Sequence, residues 1–171
     1  MRKPALLLLV LAACGSSGGL PFTTNTEVAF HPQTLADGGP NPSELLVVLA
    51  QVDQGPIDCA QSVDGGILNF TGQGLSIDVI RLDGAAVGIG TYPVVESPHG
   101  FDGGAVAGVY QFDFDAGRST FTYIGTSGTV TITAVGASIT GSFSVKMDQF
   151  TEGLVGSYNA SGDWTASLCL P

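Results

Sequence analysis

Thr129-Val130-Thr131-Ile132-Thr133-Ala134-Val135-Gly136-Ala137-Ser138-Ile139-Thr140-Gly141-Ser142-Phe143-Ser144-Val145-Lys146-Met147 is the stretch that decides the fold. Val130, Ile132 and Ala134 alternate with Thr129, Thr131 and Thr133, and Ile139, Phe143, Val145 and Met147 alternate with Thr140, Ser142, Ser144 and Lys146. A period of two sends successive side chains to opposite faces of an extended strand. Each arm therefore has an apolar face and a hydroxylated one, the pattern of an antiparallel sheet with one side in water. The connection Val135-Gly136-Ala137-Ser138 is short enough to predict a hairpin.

The same signature extends outward from this hairpin. Tyr110, Phe112 and Phe114 alternate with Gln111, Asp113 and Asp115, and Phe121 and Tyr123 with Thr120 and Thr122. Asp115-Ala116-Gly117-Arg118 supplies the turn of this second hairpin. Leu75, Ile77 and Val79 alternate with Ser76 and Asp78, and then Ile80 and Leu82 take up the opposite phase, which predicts a bulge near Val79 and Ile80. Thr26 to His31 reads as a first strand, and Asp37-Gly38-Gly39-Pro40-Asn41-Pro42 as a loop. Ser43 to Gln54, with β-branched Val47, Val48 and Val52, reads as a buried strand rather than a helix. Leu154 to Tyr158 and Trp164 to Leu168 read as a last pair around Ser161-Gly162-Asp163. Eight to ten short strands without a helix predict an all-β domain, an antiparallel β-sandwich or a small closed β-barrel, over 26–171.

Composition narrows the function. Of 171 residues 25 are Gly, and 5 Lys and Arg stand against 15 Asp and Glu, a formal net charge of -10. Such a balance lacks the basic footprint that a phosphate backbone requires, so no nucleic acid is expected as a partner. Arg2 and Lys3 followed by the apolar run Ala5 to Ala13 have the layout of a secretory signal, and nine residues are too few to span a bilayer.

Where that run stops, Leu11-Ala12-Ala13-Cys14-Gly15 resembles the lipobox of bacterial lipoproteins. The resemblance implies removal of residues 1–13, a diacylglyceryl thioether on Cys14, and palmitate or a similar acyl chain on its new amine. Several chains at about 0.8 kcal/mol per buried CH2 anchor far more firmly than one. Gly15, where a retention signal would carry Asp, favours the cell outer membrane. Residues 14–25, rich in Gly and Ser, read as a lipidated tether, and the mature chain carries Arg81, Arg118 and Lys146 against all 15 acids, or -12. Gly90-Thr91-Tyr92, Ser127-Gly128-Thr129-Val130-Thr131-Ile132-Thr133 and Gly141-Ser142-Phe143 further resemble small Gly-rich bacterial lipoproteins, which implies a sheet fold and no particular activity.

With Cys14 lipidated, Cys59 and Cys169 remain as an even pair in an oxidising compartment, and a disulfide between them is expected. One difficulty attends it: if Trp164, Ala166 and Leu168 face the core, alternation sends Cys169 outward.

The motifs of chemistry are sparse. No H-E-x-x-H, S-x-x-K or C-x-x-C occurs, so no catalytic residue, metal ligand set or cofactor is nominated. Asp37-Gly38, Asp64-Gly65, Asp83-Gly84 and Asp102-Gly103 are turn dipeptides first. Asp113-Phe114-Asp115 has the start of a calcium loop, but Ile124 stands where a bidentate Glu belongs, which leaves calcium a minor expectation. His31 and His99 are the only histidines, and an envelope hydrolase would need one of them beside a Ser and an acid; His99 with Asp102 could hold a metal or orient a base. Trp164, Tyr92, Tyr110, Tyr123 and Tyr158 could line a face for sugars or peptides. The expectation is a non-enzymatic envelope module with a protein or glycan partner; the alternative is a module binding carbohydrate or a small apolar molecule, marked by a deep cavity or an exposed aromatic row.

Overall fold

A computed structural model gives the fold of residues 19–32, 40–60, 70–101, 103–115, 118–150 and 156–169. Among them run eight strands: β1 (Thr26–Phe30), β2 (Glu44–Val52), β3 (Thr71–Arg81), β4 (Gly90–Pro93), β5 (Ala105–Asp115), β6 (Arg118–Val135), β7 (Ser138–Gln149) and β8 (Ser157–Leu168). The sheet order is β4-β6-β5-β3-β2-β1-β8-β7, and β6 also pairs with β7. That last pairing closes seven strands into a barrel and leaves β4 as an addition. All strand pairings are antiparallel except β1 with β8, whose parallel register runs Val28↔Ser167 and Ala29↔Leu168. Of the two architectures expected, the closed barrel is the one formed, and it is mixed rather than wholly antiparallel.

Closure depends on β6, whose 18 residues serve three neighbours. Its first part pairs with β5 as far as Tyr110↔Ile124, and its second part with β4 from Thr129↔Pro93 to Ile132↔Gly90. The other edge of β6 is occupied by β7 from Tyr123↔Gln149 to Val135↔Ile139, the hairpin expected from the deciding stretch. β4 thus fills the wedge where β5 and β6 diverge, and Val94 beyond it bridges Ala107 of β5 in parallel.

Inside the barrel, Leu45, Val47 and Leu49 of β2 meet Leu75, Ile77 and Val79 of β3, Val130 and Ile132 of β6, Phe143, Val145 and Met147 of β7, and Trp164 of β8. These side chains occupy the barrel centre. Trp164 lies against Gly141, its partner across β7 and β8, where an added Cβ would collide with the indole and with the Thr131 carbonyl. The indole Nε1 is buried without a hydrogen-bond partner. At one end Gln111 is buried, and its amide oxygen accepts from the Tyr158 hydroxyl. Burial and the neighbouring Tyr123 push the Tyr158 phenol up to about 12.

A second apolar layer lies outside. Val28, Val48, Ala50, Val52, Phe112, Phe114 and Cys169 point away from the barrel centre and pack with Ile57. Asn25 imitates a strand partner for Val52, donating from Nδ2 to its carbonyl and accepting from its N–H at Oδ1, both at 2.9 Å. Ile57 N–H donates to Thr26 Oγ1 at 3.1 Å. The Cys59–Cys169 disulfide ties this layer down across 110 residues of sequence, with Cα atoms 5.1 Å apart. Alternation along β8 does send Cys169 outward, and the outward face is where the segment carrying Cys59 lies.

Two local expectations change. No bulge interrupts β3 near Val79, which keeps one register with β2 and β5 throughout; Ile80 is buried on the outer face because that face too is covered there. The irregularities lie at Gln111/Phe112, Gly125/Ser127 and Ile132/Ala134 instead. The second change is that Ser161-Gly162-Asp163 is no turn: β8 runs straight through it, with Gly162 facing Phe143, so 157–168 is one long strand.

Candidate functional site

The outer face of β2, β3 and β5 is organised in rows. Leu46, Asp78 and Gly108 form one row, Val48, Ser76 and Tyr110 the next, and Ala50, Gly74 and Phe112 the third. In the third row Phe112 lies flat over β3 because Gly74 has no side chain; a Cβ there would come within 2.7 Å of the ring. Phe112 then meets Phe121 of β6 at a centroid distance of 6.4 Å, and Phe121 meets Tyr110 at 5.8 Å and Phe150 at 6.4 Å, edge to face. Phe150 is held just past β7 by donation from its N–H to the Thr122 carbonyl at 3.0 Å.

These rings wall a groove of about 230 Å³ lined by Leu46, Ser76, Asp78, Tyr110, Phe121, Tyr123, Ile124 and Phe150. Phe121 is 47% exposed and Phe150 60%, although each is a large apolar side chain. Ser76 Oγ donates to the Tyr110 carbonyl at 3.5 Å.

At the end of the groove the chemistry turns polar. Gly108 sits beside Asp78 on β5, and its missing side chain leaves room for the single 3-10 turn Pro98–Gly100; a Cβ on Gly108 would lie 2.8 Å from Pro98 Cγ. That turn carries His99 onto Asp78, with Nε2 3.3 Å from Oδ2. Glu44, at the start of β2, is close to both: one donor atom from each of Glu44, Asp78 and His99 lies within 4.8 Å of the others. Asp78 is 9% exposed, and its second oxygen, Oδ1, is buried without a hydrogen-bond partner. Burial first, and the negative charge of Glu44 second, raise its carboxyl from 3.8 to about 6, against an opposing pull from His99. Tyr110 is also pushed up, by burial and then by Asp78. His31 turns elsewhere, its Nδ1 donating to the Glu44 carbonyl at 2.6 Å.

The residues nominated by sequence fare unequally. Cys14, Asp37, Asp64 and Asp102 lie outside the described residues. His99 pairs with Asp78, an acid from a different strand. Trp164 and Tyr92 do not form a binding face: both are in the barrel core, with the Tyr92 hydroxyl donating to the Gly88 carbonyl at 2.6 Å. Tyr123 and Tyr158 pack edge to face at 5.1 Å, both against the barrel core. Of the five aromatics named, Tyr110 and Tyr123 touch the groove. Asp83 pairs with Arg81 at 2.6 Å beside Gly84, whose φ of 75° fits the expected turn. Asp115 accepts from Thr71 Oγ1 at 3.1 Å.

Sequence reasoning missed Asp78, Glu44, Phe121 and Phe150 as site residues. A signal for Asp78 was present: β2 is apolar on both faces and β3 changes phase at Ile80, so the outer face is covered where Asp78 stands. No family model, curated protein or solved structure matches the chain.

Proposed function

We propose that this chain is an exported binding module, lipid-anchored through Cys14, whose outer groove takes a small, largely apolar ligand bearing one hydrogen-bond donor or positive charge. The observation that carries the reading is the exposure of Phe121 and Phe150 over a groove that ends at a buried carboxylate. Exposed rings forming a contiguous wall mark contact sites, whereas singly scattered apolar residues do not. The groove is smaller than the ~300–1,000 Å³ of drug-sized pockets, so its occupant is of one-ring size. The barrel centre is occupied by core side chains, so the support is for a site on the outside and against a lipocalin-like interior. The nearly apolar wall favours an amphipathic molecule over a sugar, which needs several polar partners.

Titration with aniline, a neutral aromatic amine of one ring, followed by calorimetry, tests the groove. Saturable binding to the wild type, weakened roughly tenfold or more in Phe121→Ser and Phe150→Ser, is expected from the loss of ~1.5–3 kcal/mol of apolar contact. Equal affinity in all three proteins, or binding to monosaccharides alone, overturns the reading. The anchor is tested separately, by incorporation of labelled palmitate that disappears in Cys14→Ala.

A further inference from the structure

The Asp78 carboxylate poses a question that its ion pair does not answer. A buried charge is tolerated when it is paired and its hydrogen-bonding capacity is filled. His99 meets Oδ2, but Oδ1 has no partner, and Glu44 brings a second negative charge to the same place. A histidine placed merely to neutralise Asp78 would leave both problems standing.

We propose that Glu44, Asp78 and His99 form a binding site for a divalent first-row transition cation of the zinc type. A dication answers both carboxylates at once, and when bound by both oxygens of Asp78 it gives the orphaned one a partner. The spacing fits: with metal–ligand bonds of about 2.0–2.2 Å, neighbouring ligand atoms of a tetrahedral site lie about 3.3–3.6 Å apart. The separation of His99 Nε2 from Asp78 Oδ2 is 3.3 Å, and the three donors fall within 4.8 Å. Glu44 is half-buried at a strand end, with a carboxylate oxygen already within 4.8 Å of the other two donors. The donor set selects the metal. One imidazole and two carboxylates suit zinc and its neighbours, whereas calcium asks for six to eight oxygens. Three protein ligands leave a coordination position open, as in sites where the metal contacts a small molecule. That position adjoins a groove whose end is Asp78, yet the metal site stands on its own donors and does not require the groove to be filled.

Calorimetric titration of the exported protein, disulfide intact and stripped with EDTA, with zinc chloride near neutral pH tests the proposal. A single equivalent with micromolar or tighter affinity is expected, with a melting temperature that rises with zinc concentration. His99→Ala, in a side chain that is 67% exposed, still folds without zinc, at a melting temperature lowered by the lost contact with Asp78, and loses at least the roughly 10–100-fold in zinc affinity that even a supporting residue contributes. Glu44→Gln loses a comparable factor, and cobalt in place of zinc gives visible absorption in the wild type that His99→Ala abolishes. Absence of heat and of any melting shift at millimolar zinc overturns the proposal. So does zinc binding that both variants leave unchanged, because the metal would then sit on other donors.

Discussion

Asp78→Asn offers the sharpest test of how the outer face is built. In metal-free protein, burial and Glu44 hold the Asp78 carboxyl at about 6 instead of 3.8. The native state therefore keeps its proton more tightly than the unfolded chain does, and this preference favours folding wherever the proton is on. It is fully present below about pH 4 and lost as the pH rises through about 6. A difference of about two units at 1.36 kcal/mol each makes the ionised carboxylate cost about 3 kcal/mol at neutral pH. Asn has nearly the same shape and cannot ionise, so the variant escapes that cost.

Urea unfolding of both proteins with EDTA present, from about pH 4 to pH 8, reads the effect as the difference between two stabilities, which cancels the titrating groups that do not interact with Asp78. The wild type is expected to lose about 2–3 kcal/mol relative to Asp78→Asn across that range, most of it between pH 4 and 6. A difference that stays flat shows that Asp78 is as well solvated as in the unfolded chain. A difference of opposite sign shows that the pair with His99 outweighs burial and Glu44 together.

Other perturbations probe the scaffold. Gly141→Ala forces a methyl into the Trp164 indole and the Thr131 carbonyl, and a loss of about 1–3 kcal/mol is expected in denaturant unfolding followed by tryptophan fluorescence. The double variant Cys59→Ser, Cys169→Ser releases a bridge across 110 residues; the chain-entropy relation gives up to about 5 kcal/mol, read as a fall in melting temperature, and exposure of Ile57 and Phe112 should raise dye binding. Gly108→Ala displaces Pro98, so the His99 ring loses contact with Asp78 and its ring-proton NMR chemical shifts no longer respond to Asp78→Asn. In Tyr158→Phe the buried Gln111 amide loses its partner at a cost of about 1–3 kcal/mol, and ultraviolet titration loses its phenol at about 12.

The parts of this fold that were legible are those governed by local periodicity. The β6–β7 hairpin could be read because its inner residues, Val130 to Met147, see one environment throughout, and its outer residues meet water. Closure could not be read, since it rests on the parallel pairing of β1 with β8 and on β6 changing partners from β5 to β4, and neither leaves a mark on local alternation. Ser161-Gly162-Asp163 has turn composition, yet tertiary pairing overrides it: Gly162 is wanted inside the barrel opposite Phe143. The Cys59–Cys169 bridge was legible from cysteine parity and the expectation of export, while its position followed only once the outer layer was seen. The site was least legible because its parts come from β2, β3, β5, β6, the residue after β7 and the turn after β4, and because an isolated Asp in an alternating strand reads as a solvent-facing residue.

Glycine and charge depletion, which look like separate oddities of composition, converge at this site. Gly74 and Gly108 remove side chains from the outer face, so Phe112 and the Pro98–Gly100 turn can lie against the strands and shut water away from Asp78. Cations able to answer that buried charge are few. His99 is the basic group that pairs with Asp78 among the described residues, while Arg81 is engaged by Asp83 and Lys146 by Asp148, at 2.6 and 3.1 Å. Two carboxylates against one histidine leave the end of the groove negative within a chain that is acidic overall. Ligands carrying carboxylate or phosphate enter against that field, while amines and metal ions enter with it. The prediction is a ranking: among one-ring ligands of equal apolar area, affinity falls from ammonium to neutral to carboxylate, and Asp78→Asn narrows the spread. Competition against aniline, followed by calorimetry, measures it, and an anionic ligand ranked first would show that the Asp78 charge does not govern the groove.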